Sequence, residues 1–405
     1  MRPAQESEIQ NVLVGDVWIC SGQSNMEMGL GACGMTQDIE SATFPQLRLL
    51  TAPVILKYTP EETLPCQWLE CTPKSAAESG HWNGFSAAGY IFGRELHQAL
   101  KIPIGLIVAA CGATVCEQWT SAEALAPLGD FNDRLAEVAR HAAAVRAGKP
   151  AGEGPSKEGT PLDHVCTLLY NGMIAPLAPY AIKGVAWYQG EHNTDRGYQY
   201  RKLLPAMIAD WRSRFGVGDF PFYIVQLPNF QQVAADPRDH DWAELREAQA
   251  LTAKNVPNCG LAVTIDIGDG TPHPRNKTDV GRRLALCALA QTYGKKIGFS
   301  GPWYRGMKSE DSSIRLSFDH VGGGLVAKGD QLTGLAVAGE DRKFVWADAK
   351  IVGDAIVVSS DKIAHPVAAR YAWDGNPPCN LYNKDGLPAV PFRTDTWPGI
   401  TDGNK

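Results

Sequence analysis

The sequence predicts an α/β protein in which a three-layer α/β/α body, built on a parallel sheet, precedes a small antiparallel β domain. As far as about residue 299, short buried apolar stretches alternate with helical stretches, which is typical of a parallel sheet covered by helices on both faces. From about residue 300 the helical pattern stops, and short strands separated by glycine turns follow. We therefore place an α/β domain at 1–299 and a β domain with its tail at 300–405.

The expected strands of the first domain are short apolar runs rich in branched side chains. They lie at 12–19, 46–50, 103–110, 182–188, 220–227 and 260–265. Helical periodicity predicts helices between and after them, at 86–97, within 121–147, near 168–174, at 200–215, at 244–254 and from about 278 to 294. The proline-rich region after residue 51, as far as His81, is expected to be loop. The run at about 148–161, rich in glycine and proline, is interpreted as a surface insertion.

Composition excludes several classes of function. The 405 residues are 44% hydrophobic and 20% charged, with a formal charge of −6, so there is no basic surface for nucleic acid or anionic membrane. No apolar run approaches the roughly 20 residues of a membrane span. The chain has no Cys or His grouping with ligand spacing, so neither a metal nor a cofactor is expected. The partner that fits best is a small neutral or modestly charged ligand.

The ten cysteines are too few and too scattered for a disulfide scaffold. Free buried thiols are favoured, although Cys66 with Cys71, or Cys111 with Cys116, could bridge in an oxidising compartment. The first residues do not form a secretion signal. Either the start is trimmed and the protein is secreted or periplasmic, which we expect, or it stays in the cytoplasm. Oligomeric state is not predicted.

Ser24 stands at the turn that leaves the first expected strand and enters a short helix. A serine hydroxyl at such a turn lies near backbone N–H groups, which stabilise a developing alkoxide or oxyanion. It is therefore a candidate nucleophile, and the alternative is that it only caps the helix. Three later strands also end in polar motifs, at 111–114, 187–193 and 266–273. Because the ligand crevice of an open α/β sheet lies outside the carboxyl ends of its strands, these motifs can converge on Ser24.

Four motifs, in chain order, resemble the conserved blocks of the SGNH hydrolases, in the branch of the sialate O-acetylesterases and related carbohydrate acetylesterases. Gly22–Met28 resembles the nucleophile block, and Cys111–Thr114, Trp187–Asn193 and Asp269–Pro274 resemble the other three. The resemblance extends from about Asn11 to Asp395. It implies a flavodoxin-like sheet, a tail that folds back on the catalytic body, and a serine esterase that removes O-acetyl groups from carbohydrates through an acetyl-enzyme on Ser24.

Ester hydrolysis by a serine needs a base and a group that orients the base. With the resemblance, His273 is the base, and His192 beside the third motif is its rival. SGNH hydrolases place an aspartate three residues before the histidine, but Gly270 occupies that position here. Asp269, four residues before, is our choice for the orienting acid. Asp266 comes second, and a backbone carbonyl that leaves a Ser–His dyad comes third; both aspartates could also simply form turns.

The reaction also needs hydrogen-bond donors for the oxyanion. We expect the backbone N–H groups of Ser24 and Gly112 to serve, together with the side-chain amide of Gln189; Asn193 is the alternative amide. Gln23, Glu191 and Asn193 are expected to contact the substrate. The competing interpretation is that Gln189 and Glu191 only tie loops together.

Two questions about function stay open at this point. The acetylated sugar is expected to be sialic acid, but the motifs are equally compatible with plant polysaccharides such as xylan or xyloglucan. A function of another class, a non-catalytic carbohydrate-binding protein, is suggested by the eleven tryptophans and the β domain.

Overall fold

A computed structural model describes residues 10–149 and 164–405 of the chain. The surface insertion predicted at about 148–161 therefore lies outside the described residues, except for its first two positions. No helix in the described ranges is both long and apolar enough to cross a membrane. All ten cysteines are free thiols, and most of them are buried.

A seven-stranded sheet forms the centre of the molecule. Its strands are β1 (Asp16–Gly22), β2 (Phe44–Thr51), β3 (Leu69–Cys71), β4 (Ile104–Ala110), β5 (Gly184–Tyr188), β6 (Phe222–Val225) and β7 (Cys259–Ala262). Their order across the sheet is β3-β2-β4-β1-β5-β6-β7. All neighbours are parallel except β3, which is antiparallel to β2 at the edge. The first strand therefore lies in the middle, with β4 and β5 on its two sides.

Helices cover both faces of this sheet. In the described part of the chain they are α1 (Ser24–Glu27), α2 (Thr36–Glu40), α3 (Pro73–Glu78), α4 (Ala87–Leu100), α5 (Ala122–Leu125), α6 (Asn132–Arg146), α7 (Gly197–Phe215), α8 (Asp241–Asn255) and α9 (Lys277–Cys287). Helices α4 and α9 pack together on one face, and α7 and α8 pack together on the other. Alternate residues of β1 separate the two cores, since Trp18 and Cys20 belong to one and Ile19 to the other. The predicted three-layer α/β fold is confirmed.

The chain after α9 forms antiparallel sheets, as predicted. Its strands are β8 (Trp303–Glu310), β9 (Ser313–Asp319), β10 (Leu325–Ala327), β11 (Leu335–Ala338), β12 (Phe344–Trp346), β13 (Asp348–Val352), β14 (Ala355–Ser359), β15 (Ala368–Tyr371), β16 (Leu381–Asn383) and β17 (Phe392–Arg393). They form two four-stranded sheets, in the orders β13-β14-β9-β8 and β12-β11-β15-β17, and a two-stranded ribbon of β10 and β16.

The last residues of the chain contact helix α8 of the first domain. The carboxylate of Glu244, which is fully buried, accepts hydrogen bonds from the backbone N–H groups of Ile400 at 2.6 Å and Thr401 at 3.0 Å. One turn further along α8, Glu247 accepts from Arg393 at 2.9 Å. A charged group inside the first domain thus has its partners at the end of the chain.

The region from residue 51 to His81 differs from its prediction as loop, because it contains β3 and α3. Helix α3 begins with Pro73 in its first turn, and the side chain of Thr72 accepts a hydrogen bond from Ser75 N–H. Proline is compatible with the first turn of a helix, where its missing N–H would have no intrahelical partner. Prolines in this region therefore occur at the start of a helix as well as in loops.

Candidate active site

The turn after β1 is held tightly against the end of β5. Gly22 has a φ of 137°, and a Cβ atom there would lie 2.1 Å from the carbonyl oxygen of Tyr188. Only glycine fits both the conformation and the close approach. Gln23 N–H then donates to the same carbonyl at 3.0 Å, and Ser24 follows as the first residue of α1. The geometry places Ser24 at the carboxyl ends of the two central strands.

Ser24 and His273 meet across 249 residues of sequence. Serine Oγ lies 2.9 Å from Nε2 of the imidazole, which is hydrogen-bonding distance. The Trp82 ring packs perpendicular to the ring of His273, with the ring centroids 4.8 Å apart. Burial, with a further contribution from the positive charge of Lys277, lowers the pKa of His273 below its ordinary value. A neutral imidazole beside a hydroxyl is the arrangement that general-base catalysis requires.

The structure does not bring Asp269 to the imidazole. One carboxylate oxygen accepts from Thr271, from the hydroxyl at 2.8 Å and the N–H at 3.2 Å, and the other accepts from Arg275 N–H at 3.1 Å. Although partial burial opposes it, these donors hold the pKa of Asp269 below its usual value. In the described residues, no hydrogen bond joins this carboxylate to His273. The sequence-based choice of Asp269 is therefore corrected to a residue that orders the loop of His273, because its oxygens are already bonded to that loop.

Asp266, the second choice, is directed elsewhere. Its carboxylate forms a two-pronged pair with Arg283, at 2.6 and 2.8 Å, and accepts from the hydroxyl of Tyr382 at 3.0 Å. It thus links helix α9 to the β16 strand of the C-terminal region. Among the described residues no hydrogen bond joins the imidazole to Asp269, to Asp266 or to a backbone carbonyl, so none of the three sequence-based options for orienting it is seen; its ring bonds only to Ser24.

Gly112 lies beside Ser24, as expected of an oxyanion donor. A Cβ at residue 112 would be 3.4 Å from the Cβ of Ser24 and 3.2 Å from Oε2 of Glu27. The Gly112 N–H, however, donates to that same Glu27 oxygen at 2.8 Å. Burial raises the pKa of Glu27, while the Gly112 N–H and the nearby His81 act in the opposite direction. The Gly112 amide thus already binds a carboxylate oxygen next to the serine.

The amide of Gln189 is engaged in a buried network. Its Nε2 donates to the carbonyl of Thr114 at 3.0 Å and to Oδ1 of Asn193 at 2.7 Å, and its Oε1 accepts from the hydroxyl of Tyr200 at 2.9 Å. Asn193 in turn donates to the buried carboxylate of Glu117 at 3.0 Å. Both hydrogens of the Gln189 amide are therefore used. The sequence-based placement of Gln189 and Asn193 at the oxyanion is corrected to a role in tying together the loops after β4 and β5.

Gln23 and His192 connect the serine turn to the loop after β5. Gln23 is buried; its Oε1 accepts from Gly190 N–H at 3.1 Å, and its Nε2 lies 3.2 Å from Nδ1 of His192. The ring of His164 packs edge-on against His192, with the centroids 5.6 Å apart. Partial burial and the neighbouring His164 lower the pKa of His192. The residue that contacts Ser24 Oγ is His273, and its rival His192 contacts Gln23.

A polar cluster beneath the site joins Asn25, Glu191 and Lys277, and we call it the clamp cluster. Asn25 Nδ2 donates to Glu191 Oε1 at 2.5 Å and to the carbonyl of Pro272 at 2.9 Å. Lys277 Nζ donates to Asn25 Oδ1 and to the carbonyl of Pro274, each at 2.6 Å. Burial raises the pKa of Glu191 and lowers the pKa of Lys277 to about 8. Glu191, predicted to contact substrate, instead contacts Asn25.

Sequence reasoning missed the roles of Asn25, Glu27 and Lys277, although two of them lie inside the nucleophile motif. The signal for Lys277 is its position in the first turn of a helix. A positive charge there is unfavourable for the helix dipole, so a lysine at that position suggests a specific partner.

Comparisons with known proteins identify the family of this chain. A family model described as carbohydrate esterase, sialic acid-specific acetylesterase, matches residues 14–147 and 156–290. The sialate O-acetylesterase of Mus musculus is 31% identical, over 95% of this chain and 78% of that protein. The human sialate O-acetylesterase is also 31% identical, over 96% of this chain and 77% of that protein.

A solved structure is similar as well. It is a carbohydrate acetylesterase from Xanthomonas citri, with a TM-score of 0.80 and 38% identity, covering 95% of this chain and 81% of that one. The resemblance inferred from the four motifs is thus confirmed by the family model, the relatives and the fold together. The chain belongs to the carbohydrate esterase family of the sialic acid-specific acetylesterases, and it is an ester hydrolase.

Proposed function

We propose that this protein is a serine esterase that removes O-acetyl groups from a carbohydrate, with sialic acid as the preferred sugar, through an acetyl-enzyme on Ser24. The observation that carries the proposal is the 2.9 Å contact between Ser24 Oγ and His273 Nε2. A nucleophile and a base at this distance are the minimum for covalent ester hydrolysis.

In the first half of the reaction, His273 Nε2 takes the proton of the Ser24 hydroxyl while Oγ attacks the acetyl carbonyl carbon. The tetrahedral intermediate collapses when the bond to the sugar oxygen breaks. The protonated imidazole gives its proton to that oxygen, so the sugar leaves as an alcohol. The acetyl group is then an ester of Ser24.

In the second half, water takes the place of the sugar. His273 accepts a proton from the water, and the resulting hydroxide attacks the acetyl-serine. When the bond to Oγ breaks, the imidazole returns the proton to Ser24, and acetate leaves. Because the pKa of His273 is lowered, its neutral form is available for both steps at neutral pH.

The oxyanion is assigned to the backbone N–H groups of Ser24 and Gly112. Gly112 N–H donates to a carboxyl oxygen of Glu27 at 2.8 Å, and this contact with an oxygen acceptor supports the proposal. A substrate that uses this donor must displace Glu27 from it. The Glu27 carboxylate therefore competes with the acyl oxygen for the same hydrogen bond.

Sialic acid is proposed as the sugar because the two curated relatives above are named sialate O-acetylesterases. Acetylated plant polysaccharides such as xylan or xyloglucan are the second candidate, since the similar structure from Xanthomonas citri is described only as a carbohydrate acetylesterase. The secreted or periplasmic location stays a prediction, which cell fractionation of the native host would test.

The experiment has three parts. p-Nitrophenyl acetate turnover is compared between wild type and Ser24→Ala, and the wild-type protein is trapped with substrate at low pH for mass spectrometry of the peptide that contains Ser24. We expect turnover only in wild type and an acetyl adduct on that peptide. Acetate release is then measured with O-acetyl sialic acid, acetylated xylan and acetylated xyloglucan. Turnover by Ser24→Ala would contradict the mechanism, and a preference for xylan would contradict the choice of sugar. A non-catalytic carbohydrate-binding protein would show no turnover in either variant.

A further inference from the structure

We propose that Asn25 and Lys277 are positioning residues for catalysis, because together they hold the carbonyl groups on both sides of His273. Asn25 Nδ2 binds the carbonyl of Pro272, immediately before the histidine, and Lys277 Nζ binds the carbonyl of Pro274, immediately after it. The proposal rests on the proposed function, in which His273 is the base.

Asn25 connects the two turns that carry the reacting groups. Asn25 directly follows Ser24 in the chain, and its side chain reaches the loop of His273 across 247 residues. One side chain thus links the backbone of the nucleophile turn to the backbone of the base. A shift of either turn must break or stretch the hydrogen bond between them, so the clamp cluster sets the separation of the two reacting groups. Small misplacements of reacting groups cost large factors in rate.

The hydrogen bonds of the clamp cluster allow only one orientation of the Asn25 amide. The ammonium of Lys277 can only donate, so the Asn25 atom that faces it at 2.6 Å is the oxygen Oδ1. Nδ2 must then face Pro272 and Glu191, and both of its hydrogens are used. The orientation of the Asn25 amide is therefore determined by Lys277.

Lys277 places its ammonium group in the interior of the protein. Asn25 and Lys277 are both 0% exposed. Burying an ammonium group is unfavourable unless oxygens surround it, and an apolar side chain of similar length would fill the space without that penalty. The two oxygens that Lys277 binds belong to the residue after the nucleophile and the residue after the base. The hydrogen bonds that Lys277 donates to these two oxygens therefore explain why a lysine is buried here.

Neither aspartate near His273 bonds to its imidazole. Both oxygens of Asp269 are bonded to the loop, and Asp266 is bonded to Arg283. With no carboxylate on the imidazole among the described residues, the loop backbone has to orient His273. The clamp cluster binds that backbone on its buried side, and the hydrogen bonds of Asp269 hold it on the solvent side.

The charge of Lys277 also acts on His273, where it adds to the effect of burial in lowering the pKa. The charged and titratable groups near the pair include Cys33, Glu191 and Asp269, which interact with Lys277, and His192, which interacts with His273. The ring of Tyr188 also faces Lys277, with its centroid 5.4 Å from Nζ. Removing the positive charge must raise the pKa of His273. If Lys277 only filled space, replacing it would leave the pKa of His273 unchanged.

The test compares Lys277→Met with Arg282→Met, a matched control that removes a positive charge from the same helix. The Arg282 side chain is 56% exposed, and its nearest acidic partner, Glu95, is 3.9 Å away. kcat and KM for p-nitrophenyl acetate are measured from pH 4.5 to 9, and unfolding is followed for each variant. For Lys277→Met we expect at least a tenfold loss in kcat with KM changed less, and the acid limb of kcat/KM moved to higher pH. Arg282→Met should match wild type in kcat and in the acid limb of kcat/KM.

A second pair of variants keeps the test decisive if Lys277→Met does not fold. Asn25→Ala removes the two Nδ2 donors without adding a charge and leaves the Lys277 ammonium in place, so kcat should fall while the acid limb moves much less than in Lys277→Met. Lys277→Arg keeps the charge and should retain the wild-type acid limb. Equal rates and equal acid limbs for wild type and Lys277→Met would overturn the proposal, as would equal effects of Lys277→Met and Arg282→Met.

Failure of this inference is separable from failure of the proposed function. Wild-type protein and each variant are treated with a serine-reactive fluorophosphonate, and the labelled residue is identified. If wild type is labelled on Ser24 and Ser24→Ala is inactive, the esterase mechanism stands whatever Lys277→Met does. If Ser24→Ala remains active, the esterase mechanism itself is lost.

Discussion

Asp269→Asn is the substitution that best tests how His273 is oriented. The amide keeps one oxygen, which can still accept from Thr271, but it sets an NH₂ group against the N–H of Arg275, where the carboxylate accepts at 3.1 Å. One hydrogen bond and one charge are lost at an exposed site, where water can replace them, so the cost is about 1–1.5 kcal/mol. If all of that cost appears as misplacement of the histidine, the rate falls about five- to tenfold.

A direct bond between Asp269 and the imidazole predicts a much larger effect, since loss of the aspartate of a full triad costs about 10⁴ in kcat. The two cases are separated by kcat/KM for p-nitrophenyl acetate, with the concentration of active sites determined by titration of Ser24. Asp266→Asn is the control, because it breaks the ion pair with Arg283, which lies away from the imidazole. We expect it to lower the free energy of unfolding and to change kcat little. A loss of 10³ or more in Asp269→Asn, with the fold intact, would refute the loop-ordering role.

Four further outcomes are expected. Ser24→Ala and His273→Ala should each abolish nearly all p-nitrophenyl acetate turnover while the unfolding transition stays close to that of wild type; substantial activity in either would remove that residue from the chemistry. The acid limb of kcat/KM should have its midpoint below pH 6.5, because a lowered pKa keeps His273 neutral at more acidic pH; a midpoint above 6.5 in a pH series would contradict this sign. Gln189→Ala should lower the free energy of unfolding by about 2–3 kcal/mol, since buried partners lose their hydrogen bonds, with kcat per folded molecule reduced less than tenfold; a loss of 10²–10³ in kcat at unchanged stability would make it an oxyanion donor after all. Glu27→Gln should raise kcat/KM by up to about fivefold, because a neutral oxygen holds Gly112 N–H less strongly than a carboxylate does; a tenfold decrease would show that Glu27 supports the site instead.

Much of the fold and the reacting pair could be read from the chain alone. The alternation of strands and helices predicted the parallel sheet, and each reacting residue follows a strand whose end is marked by glycine and polar residues. Since parallel strands end at the same edge, the strand order predicts that the loops of Ser24 and His273 converge, and the family resemblance identifies these two residues as the reacting pair.

Roles that depend on side-chain direction could not be read in this way. Asp269 lies four residues before His273, and nothing in that spacing tells whether the carboxylate turns to the imidazole or to Arg275 N–H. Gln189 ends the right strand, but its amide faces Thr114 and not the serine. The bond between Asn25 and Lys277 spans 252 residues, and its existence depends on how two separate turns pack. Local pattern carries no information on such contacts.

The contact between the chain end and helix α8 also bears on how the protein is made. Chains are synthesised from the amino terminus, and domains generally begin to fold as they emerge. The carboxylate of Glu244 can be buried in its final state only when the N–H groups of Ile400 and Thr401 reach it. Helix α8 packs beside β7 and α7. This part of the esterase body therefore completes its packing only after Ile400 and Thr401 have been synthesised. A ribosome that stalls in the last strands would leave an esterase body in which Glu244 has not yet met these donors, and such a nascent chain is the form that chaperones and proteases would meet.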